Sequence, residues 1–288
     1  MLVYLNGEYL PRDRAMVPVD DRGFLFGDGV YEVSRALDGR VVDHDRHARR
    51  LARNLAELAI APAGLDEGAL REIAERVLLG SALAAGHATV YLQVTRGSAP
   101  RTHHYPDPRR VPPTVYVSAS PFAPLDAARD AGVRVITLPD LRWGRCDVKS
   151  INLLPNVMAK QAAVAAGAHE ALFVRDDVIT EGAATNVFAV VDGVVRTHPL
   201  STAVLPGITR EIAIELAHAL GLPVQEDALT LDELPAADEL FLTSTTNDVM
   251  PVVAVDGRTV GDGAPGPVTR RLADAFAARG VVAALAAR

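Results

Sequence analysis

Strands and helices succeed one another along this chain without a regular strand–helix–strand alternation, and that irregularity limits the fold more than any other feature. The chain opens on a hairpin, Val3-Tyr4-Leu5 and Glu8-Tyr9-Leu10 around Asn6-Gly7, a pair suited to a tight turn with positive φ. Leu51, Leu55 and Leu58 fall at helical spacing behind His47 and Arg50, which predicts a helix over 43–59, and a second is expected over 67–83. Strands are expected over 89–95, with Val90, Leu92 and Val94 on one face, and over 114–118. Pro121-Phe122-Ala123-Pro124 then breaks the pattern. Beyond it, short strands are expected at 133–137, 170–175, 186–191, 238–243 and 251–255, with Asp-Gly turns at 192–193 and 256–257. Helices are expected at 156–166, 207–220 and 267–279. Such a mixture predicts an α+β fold in two domains, a small one over 1–120 and a larger one over 127–288, joined by a linker at 121–126.

With 288 residues there is chain enough for two buried cores. A net charge of −7, without a basic block, offers nucleic acid no general attraction. The single cysteine, Cys146, excludes an internal disulfide and a cysteine-cluster metal site. No basic leader with an apolar core opens the chain, and no apolar run approaches the ~18–20 residues of a membrane span. The expectation is a soluble cytoplasmic protein with no metal, membrane or nucleic-acid partner.

Of 29 basic residues only Lys149 and Lys160 are lysine. A guanidinium stays charged and unreactive, whereas a lysine amine can lose its proton and form an imine with a carbonyl. Lys160 lies in a helical stretch on the solvated side. Lys149 lies in the polar tract Arg145-Cys146-Asp147-Val148-Lys149-Ser150-Ile151-Asn152, neither helical face nor alternating strand.

Four further tracts carry chemistry. Glu181-Gly182, followed by Ala183, Ala184 and Thr185, sets a carboxylate beside backbone that can approach a flat ligand. Pro206-Gly207-Ile208-Thr209-Arg210 opens an amphipathic helix whose free N–H groups and hydroxyl suit a phosphate. Thr243-Ser244-Thr245-Thr246-Asn247 gathers hydroxyls at a strand end. In the first half, three glycines surround aromatics from Gly23 to Gly29 ahead of Tyr31, and Arg101 and His103 stand two apart in a loop, able to grip one carboxylate. Taken singly, each reads equally as a turn, a capped helix or a solvated loop. Taken together they supply the parts of a pyridoxal-phosphate site: an imine-forming lysine, a carboxylate, a phosphate cradle and carboxylate donors.

The tracts from Asp21 to Glu32 and Cys146 to Asn152, with Glu181-Gly182, Pro206-Gly207-Ile208-Thr209-Arg210 and Ser244-Thr245-Thr246, resemble the fold-type IV pyridoxal-phosphate enzymes over the whole chain. With the Arg101/His103 pair, the resemblance is to the D-amino acid aminotransferases among them. It implies a cofactor, pyridoxal 5′-phosphate, and a site at the domain interface. Lys149 would hold the cofactor as an aldimine and shuttle the proton in a ping-pong transamination. Glu181 would pair with the pyridine nitrogen. Arg50, Ile208, Thr209 and Thr245, with Gly207 and Ser244, would take the phosphate. Tyr31, Arg101 and His103 would hold the substrate carboxylate, the loop coming from the partner of a homodimer. Ala183 and Ala184 stand where relatives often carry serines, and Leu205-Pro206 stiffens the entrance to the phosphate helix. A branched-chain L-amino acid aminotransferase, not expected to carry the Arg101/His103 pair, and an aminodeoxychorismate lyase are the alternatives on this scaffold. A cofactor-binding protein without turnover is opposed by the intact Lys149 and the full set of substrate donors.

Overall fold

The computed structural model describes the backbone of residues 1–62 and 64–286, with side chains through 279. Among these residues the chain divides into two compact units.

The first unit comprises Met1–Ala123 and Val148–Asn152. Its elements are β1 (Leu2–Leu5), β2 (Glu8–Pro11), α1 (Arg22–Phe26), β3 (Gly29–Leu37), β4 (Arg40–Val41), α2 (His44–Glu57), α3 (Glu67–Gly80), β5 (His87–Thr95) and β6 (Thr114–Pro121). The six strands form one sheet in the order β2-β1-β6-β5-β3-β4, every neighbouring pair antiparallel. The opening turn has the expected left-handed backbone, φ 50° at Asn6 and 98° at Gly7. Leu51 and Leu55 of α2 and Leu70, Ile73 and Val77 of α3 bury against Val30, Val90, Leu92, Val94 and Val117 of the sheet.

Where glycines and aromatics suggest only a bend, the structure has α1 and then the nine-residue β3, in register with β5 from Gly29↔Thr95 to Leu37↔His87. Asp21 caps α1 by accepting from the Gly23 N–H at 2.8 Å, and Gly27, at φ 67°, ends it. A Cβ on Gly29 would stand 2.6 Å from the Val94 carbonyl oxygen, so glycine lets the strand close onto β5.

The second unit comprises Pro124–Asp147 and Leu153–Val282. Its elements are α4 (Asp126–Ala131), β7 (Val133–Pro139), α5 (Leu154–Ala165), β8 (Glu170–Arg175), β9 (Val178–Gly182), β10 (Asn186–Val191), β11 (Val194–Thr197), α6 (Ile208–Ala219), β12 (Val224–Gln225), β13 (Glu239–Ser244), β14 (Asp248–Val255) and β15 (Arg258–Thr259), with α7 (Pro267–Ala286) closing the chain. The sheet order is β12-β11-β10-β13-β14-β7-β8-β9, with β15 on β14. Parallel pairs (β7 with β8 and β14, β11 with β12) mix with antiparallel ones, as an α+β fold requires. Ala213 and Ala217 of α6 pack on Phe188, Val190, Phe241 and Val249, and Ala159 and Ala163 of α5 pack on Ala171 and Phe173.

The division falls between Ala123 and Pro124, while Val148–Asn152, expected in the second domain, groups with the first unit. The cause is backbone pairing along β3. Tyr31 N–H donates to the Lys149 carbonyl at 3.0 Å, and Ile151 N–H to the Gly29 carbonyl at 3.0 Å. No described helix is long and apolar enough to cross a membrane.

Candidate active site

The two lysines part company in the structure. Lys160 on α5 bonds the His169 carbonyl and lies 3.6 Å from Glu170, as a structural cation does. Lys149 lies half-buried beside β3, its Nζ 4.2 Å from the centroid of the Tyr31 ring, with no hydrogen bond or ion pair among the described residues. Tyr31 leans on Tyr91 of β5, ring centroids 5.8 Å apart. Burial, with Tyr31 and Tyr116 alongside, pushes the Tyr91 phenol up to about 12, so it stays neutral and donates to Gln93 at 2.7 Å.

Successive strand residues face opposite sides, so Glu32 points away from Tyr31 towards α2. There it accepts from Arg50 Nε at 2.7 Å and Nη2 at 2.8 Å, and lies 2.9 Å from His47 Nδ1. Burial pushes the Glu32 carboxyl up, but Arg50 and His47 outweigh it and hold the group well below the usual carboxylate range. Arg50, expected at a phosphate, is thus oriented by a buried bidentate pair that the sequence reading missed.

Arg101 and His103 are exposed and meet over one ring, Phe26: the guanidinium carbon lies 5.1 Å from its centroid and the imidazole centroid 5.7 Å. Among the described residues, no hydrogen bond or ring contact joins either to Tyr31 or Lys149 within one chain.

In the second unit Glu181 lies next to the end of β9, only 5% exposed. Arg142 bonds its Oε1, while Asn186 Nδ2 and the Leu205 N–H each donate to Oε2 at 3.0 Å. Arg142 is itself gripped by Asp140, with Nε at 2.9 Å and Nη2 at 2.8 Å. Burial pulls the Arg142 guanidinium down, yet Asp140 and Glu181 hold it above its ordinary value. Burial raises the Asp140 carboxyl, but the bonds from Arg142 leave it lowered. Cys146, beside this network, is a buried thiol pushed up chiefly by desolvation. Arg142, Asp140 and Asn186 had no signal in the sequence beyond their types.

Asn186 ties the carboxylate to the start of α6. Its Nδ2 also donates to the Leu205 carbonyl at 2.9 Å, and a Cβ on Gly207 would stand 2.0 Å from its Oδ1. No side chain caps α6 at Gly207, which leaves the first-turn N–H groups at Ile208 and Thr209 free of a side-chain acceptor. The β10–β13 register sets Asn186 opposite Thr243, so Ser244 and Thr245 follow one step beyond. Carboxylate, helix start and hydroxyl turn therefore share one end of the second sheet. Ser244 Oγ accepts from Asn247 N at 3.2 Å and fixes that turn. Ala183 and Ala184, lacking hydroxyls, are held through backbone: Ala183 O accepts from Asn156 at 2.8 Å, and Ala184 N donates to Glu170 at 3.2 Å.

The uncapped helix start beside a turn of hydroxyls suits an anionic group such as a phosphate. A family model described as amino-transferase class IV matches residues 29–255. The chain is 42% identical over 276 residues to a D-alanine aminotransferase of Bacillus licheniformis, covering 96% of each, and 39% identical to one of Staphylococcus haemolyticus, covering 95% of this chain and 96% of the relative. Among solved structures it is similar to the branched-chain amino acid aminotransferase of Escherichia coli, with a TM-score of 0.86, 28% identity, and 96% and 93% of the chains covered. A second branched-chain amino acid aminotransferase, solved with pyridoxamine 5′-phosphate, aligns with a TM-score of 0.85 at 30% identity, covering 96% of this chain and 92% of that one.

Proposed function

The chain belongs to the class IV aminotransferases, and on that premise we propose that it moves an amino group between a D-amino acid, such as D-alanine or D-glutamate, and a 2-oxo acid, using pyridoxal 5′-phosphate. The observation that carries the reading is Lys149, an amine against Tyr31 with no charge partner among the described residues, while the other lysine is bonded. The residues fit the cofactor: α6 starts without a side-chain cap, and the glycine at its start lets Asn186, which holds Glu181, lie against the backbone there.

When bound, the cofactor supplies a sink for the electrons left on the substrate Cα as its proton departs. Lys149 Nζ is the group assigned to hold the cofactor and to carry that proton. Glu181, fixed by Arg142, Asn186 and the Leu205 N–H, is the group that would pair with the ring nitrogen. The N–H groups of Gly207, Ile208 and Thr209, the hydroxyls of Thr209, Ser244 and Thr245, and Arg50 are assigned to the phosphate. Tyr31, Arg101 and His103 are assigned to the substrate carboxylate.

Because Arg101 and His103 do not join Tyr31 or Lys149 within one chain, the proposal includes a homodimer in which each loop serves its partner's site. Exposed Met16, Val19 and Phe24 on the same unit offer apolar surface for that contact. The enzyme is placed in the cytoplasm, consistent with its lone buried thiol.

The D-hand rests on the Arg101/His103 pair and on similarity to D-alanine aminotransferases; the structural neighbours act on branched-chain substrates. Incubating the purified enzyme with 2-oxoglutarate and either D-alanine or L-leucine decides it. Pyruvate from D-alanine is expected, with little turnover of L-leucine. Faster turnover of L-leucine would establish the branched-chain alternative. Pyruvate release from aminodeoxychorismate without any amino acceptor would establish the lyase.

A further inference from the structure

The loop that carries Arg101 and His103 is held at its base by a buried ion-pair clamp. Two arginines share the carboxylate of Asp28. Arg22 Nε reaches Oδ2 at 2.7 Å, and Arg96 reaches Oδ2 at 2.8 Å and Oδ1 at 3.0 Å. Their side chains are 3% and 7% exposed and that of Asp28 is 11% exposed. Burial pushes the Asp28 carboxyl up, yet the two guanidinium groups win and hold it below its ordinary range.

Both arginines spend their remaining donors on backbone. Arg96 bonds the carbonyls of Leu58 at 2.7 Å and Ala59 at 2.9 Å, and its guanidinium lies 3.5 Å above the Tyr105 ring. Arg22 Nη1 donates to the Thr102 carbonyl at 2.7 Å and sits 3.4 Å from that of His104. Thr102 lies between Arg101 and His103, so this one bond fixes the peptide from which both side chains depart. Phe26, four residues after Arg22, lies beside Arg22, Arg101 and His103, with the Arg22 guanidinium 4.8 Å from the ring centroid.

The feet of the loop are pinned as well. Arg22 N–H donates to the Gly97 carbonyl at 2.9 Å, Ala99 N–H donates to the Asp20 carbonyl at 3.2 Å, and Asp21 pairs with Ser98. Gly97, at φ 94°, brings the two ends so close that a Cβ there would stand 2.1 Å from the Pro112 carbonyl oxygen. From Arg101 to Tyr105 the loop is otherwise exposed. An exposed loop with pinned feet is ordered at its centre by the part-buried bonds from Arg22 to the Thr102 and His104 carbonyls.

We propose that Arg22, oriented by Asp28, is a positioning residue that sets Arg101 and His103 for the substrate carboxylate. This rests on the carboxylate role assigned to that pair. Losing the clamp leaves the chemical step at Lys149 intact and weakens capture of the amino acid, so the effect belongs in KM.

The test is a double-mutant cycle on the full-length holoenzyme with D-alanine. Arg22→Met is expected to raise KM about tenfold, the scale of one charged hydrogen bond, with kcat within about twofold. Arg22→Lys, which keeps the charge and a donor, is expected to recover part of the loss. Arg22→Met added to Arg101→Ala is expected to cost clearly less than the sum of the two single effects, since Arg101 is one of the two side chains that Arg22 positions. In hydrogen exchange, amides of 99–105 are expected to exchange faster in Arg22→Met while β5 and β6 keep their protection. A strong Arg101→Ala effect with a silent or fully additive Arg22→Met overturns the clamp. A silent Arg101→Ala instead removes the carboxylate reading, and the clamp as a substrate-positioning device falls with it. Should Arg22→Met not fold, Arg22→Lys with unchanged KM and unchanged loop exchange overturns the proposal.

Discussion

Lys149 was legible in the sequence because amines are scarce in this chain, and the structure adds that, among the described residues, its amine makes no hydrogen bond or ion pair. Borohydride reduction of the yellow holoenzyme is therefore expected to abolish its visible absorption band and to leave the adduct on the Lys149 peptide; an adduct on Lys160 would refute the assignment. Lys149→Arg should fold and lose the band, because a guanidinium keeps charge and bulk without imine chemistry. Glu181 was legible only as a carboxylate before glycine. The residues that aim it were not, since Arg142 is one of many arginines and lies, with its partner Asp140, far from Glu181 in sequence. Glu181→Gln keeps the shape and can still accept from Asn186, but it loses the charge proposed for the ring nitrogen. The expected result is retained cofactor and a single-turnover rate for Cα proton removal lowered by ~10²–10³, the usual effect of removing one preorganised electrostatic partner. An unchanged rate would take Glu181 out of the chemistry.

At the scale of elements, what periodicity could see, it saw: the opening hairpin, α2, α3, α5 and α6 lie close to their expected ranges. What it could not see was β3, and the reason is chemical. Its buried face carries Glu32 and Ser34 between Val30 and Ala36, so apolar and polar residues do not alternate. Only the pairing with Arg50 and His47 makes that face tolerable to bury. Glu32→Gln is accordingly expected to destabilise the protein by about 3–5 kcal/mol, the cost of leaving a buried partner charge uncompensated, measured as a lowered urea midpoint. Since the folded carboxyl titrates below its unfolded value, its stabilisation is fully present above about pH 4.3 and fades as the pH falls below that, and the variant's acid unfolding should lack this component. Equal urea midpoints at pH 7 would show that the pair contributes nothing. The start of α6 offers a second check. Asn186 is 6% exposed and bonded to Glu181 and Leu205, so it cannot yield freely to a Cβ on Gly207. Gly207→Ala is expected to weaken cofactor binding by about 1–3 kcal/mol, roughly 5- to 150-fold, in a titration of the apo-protein. Unaltered affinity would place the phosphate elsewhere.

For the whole molecule, a single break at Pro121–Pro124 reads as one boundary, yet the chain crosses between its units more than once. A five-residue return such as Val148–Asn152 has no compositional mark, because what assigns it is backbone pairing with β3. Lys149 is thereby carried on the first unit, with Tyr31, while Arg101 and His103 sit on the same unit without reaching it. A homodimer that exchanges these loops reconciles the two facts and has a decisive consequence. If each site takes its lysine from one protomer and its arginine from the other, the defects Lys149→Arg and Arg101→Ala complement when they lie on different chains. A mixed dimer of the two variants then holds one site with both residues intact and one with neither. Assayed at D-alanine far below the KM of Arg101→Ala, the two variants unfolded and refolded together in equal amounts should restore roughly a quarter of wild-type turnover per subunit, since half the dimers are mixed and half their sites are whole. Neither variant refolded alone should recover. If the loop serves its own protomer, every site in the mixture lacks one residue or the other. The mixture then stays no more active than the mean of the two parents, and the exchanged-loop dimer is excluded.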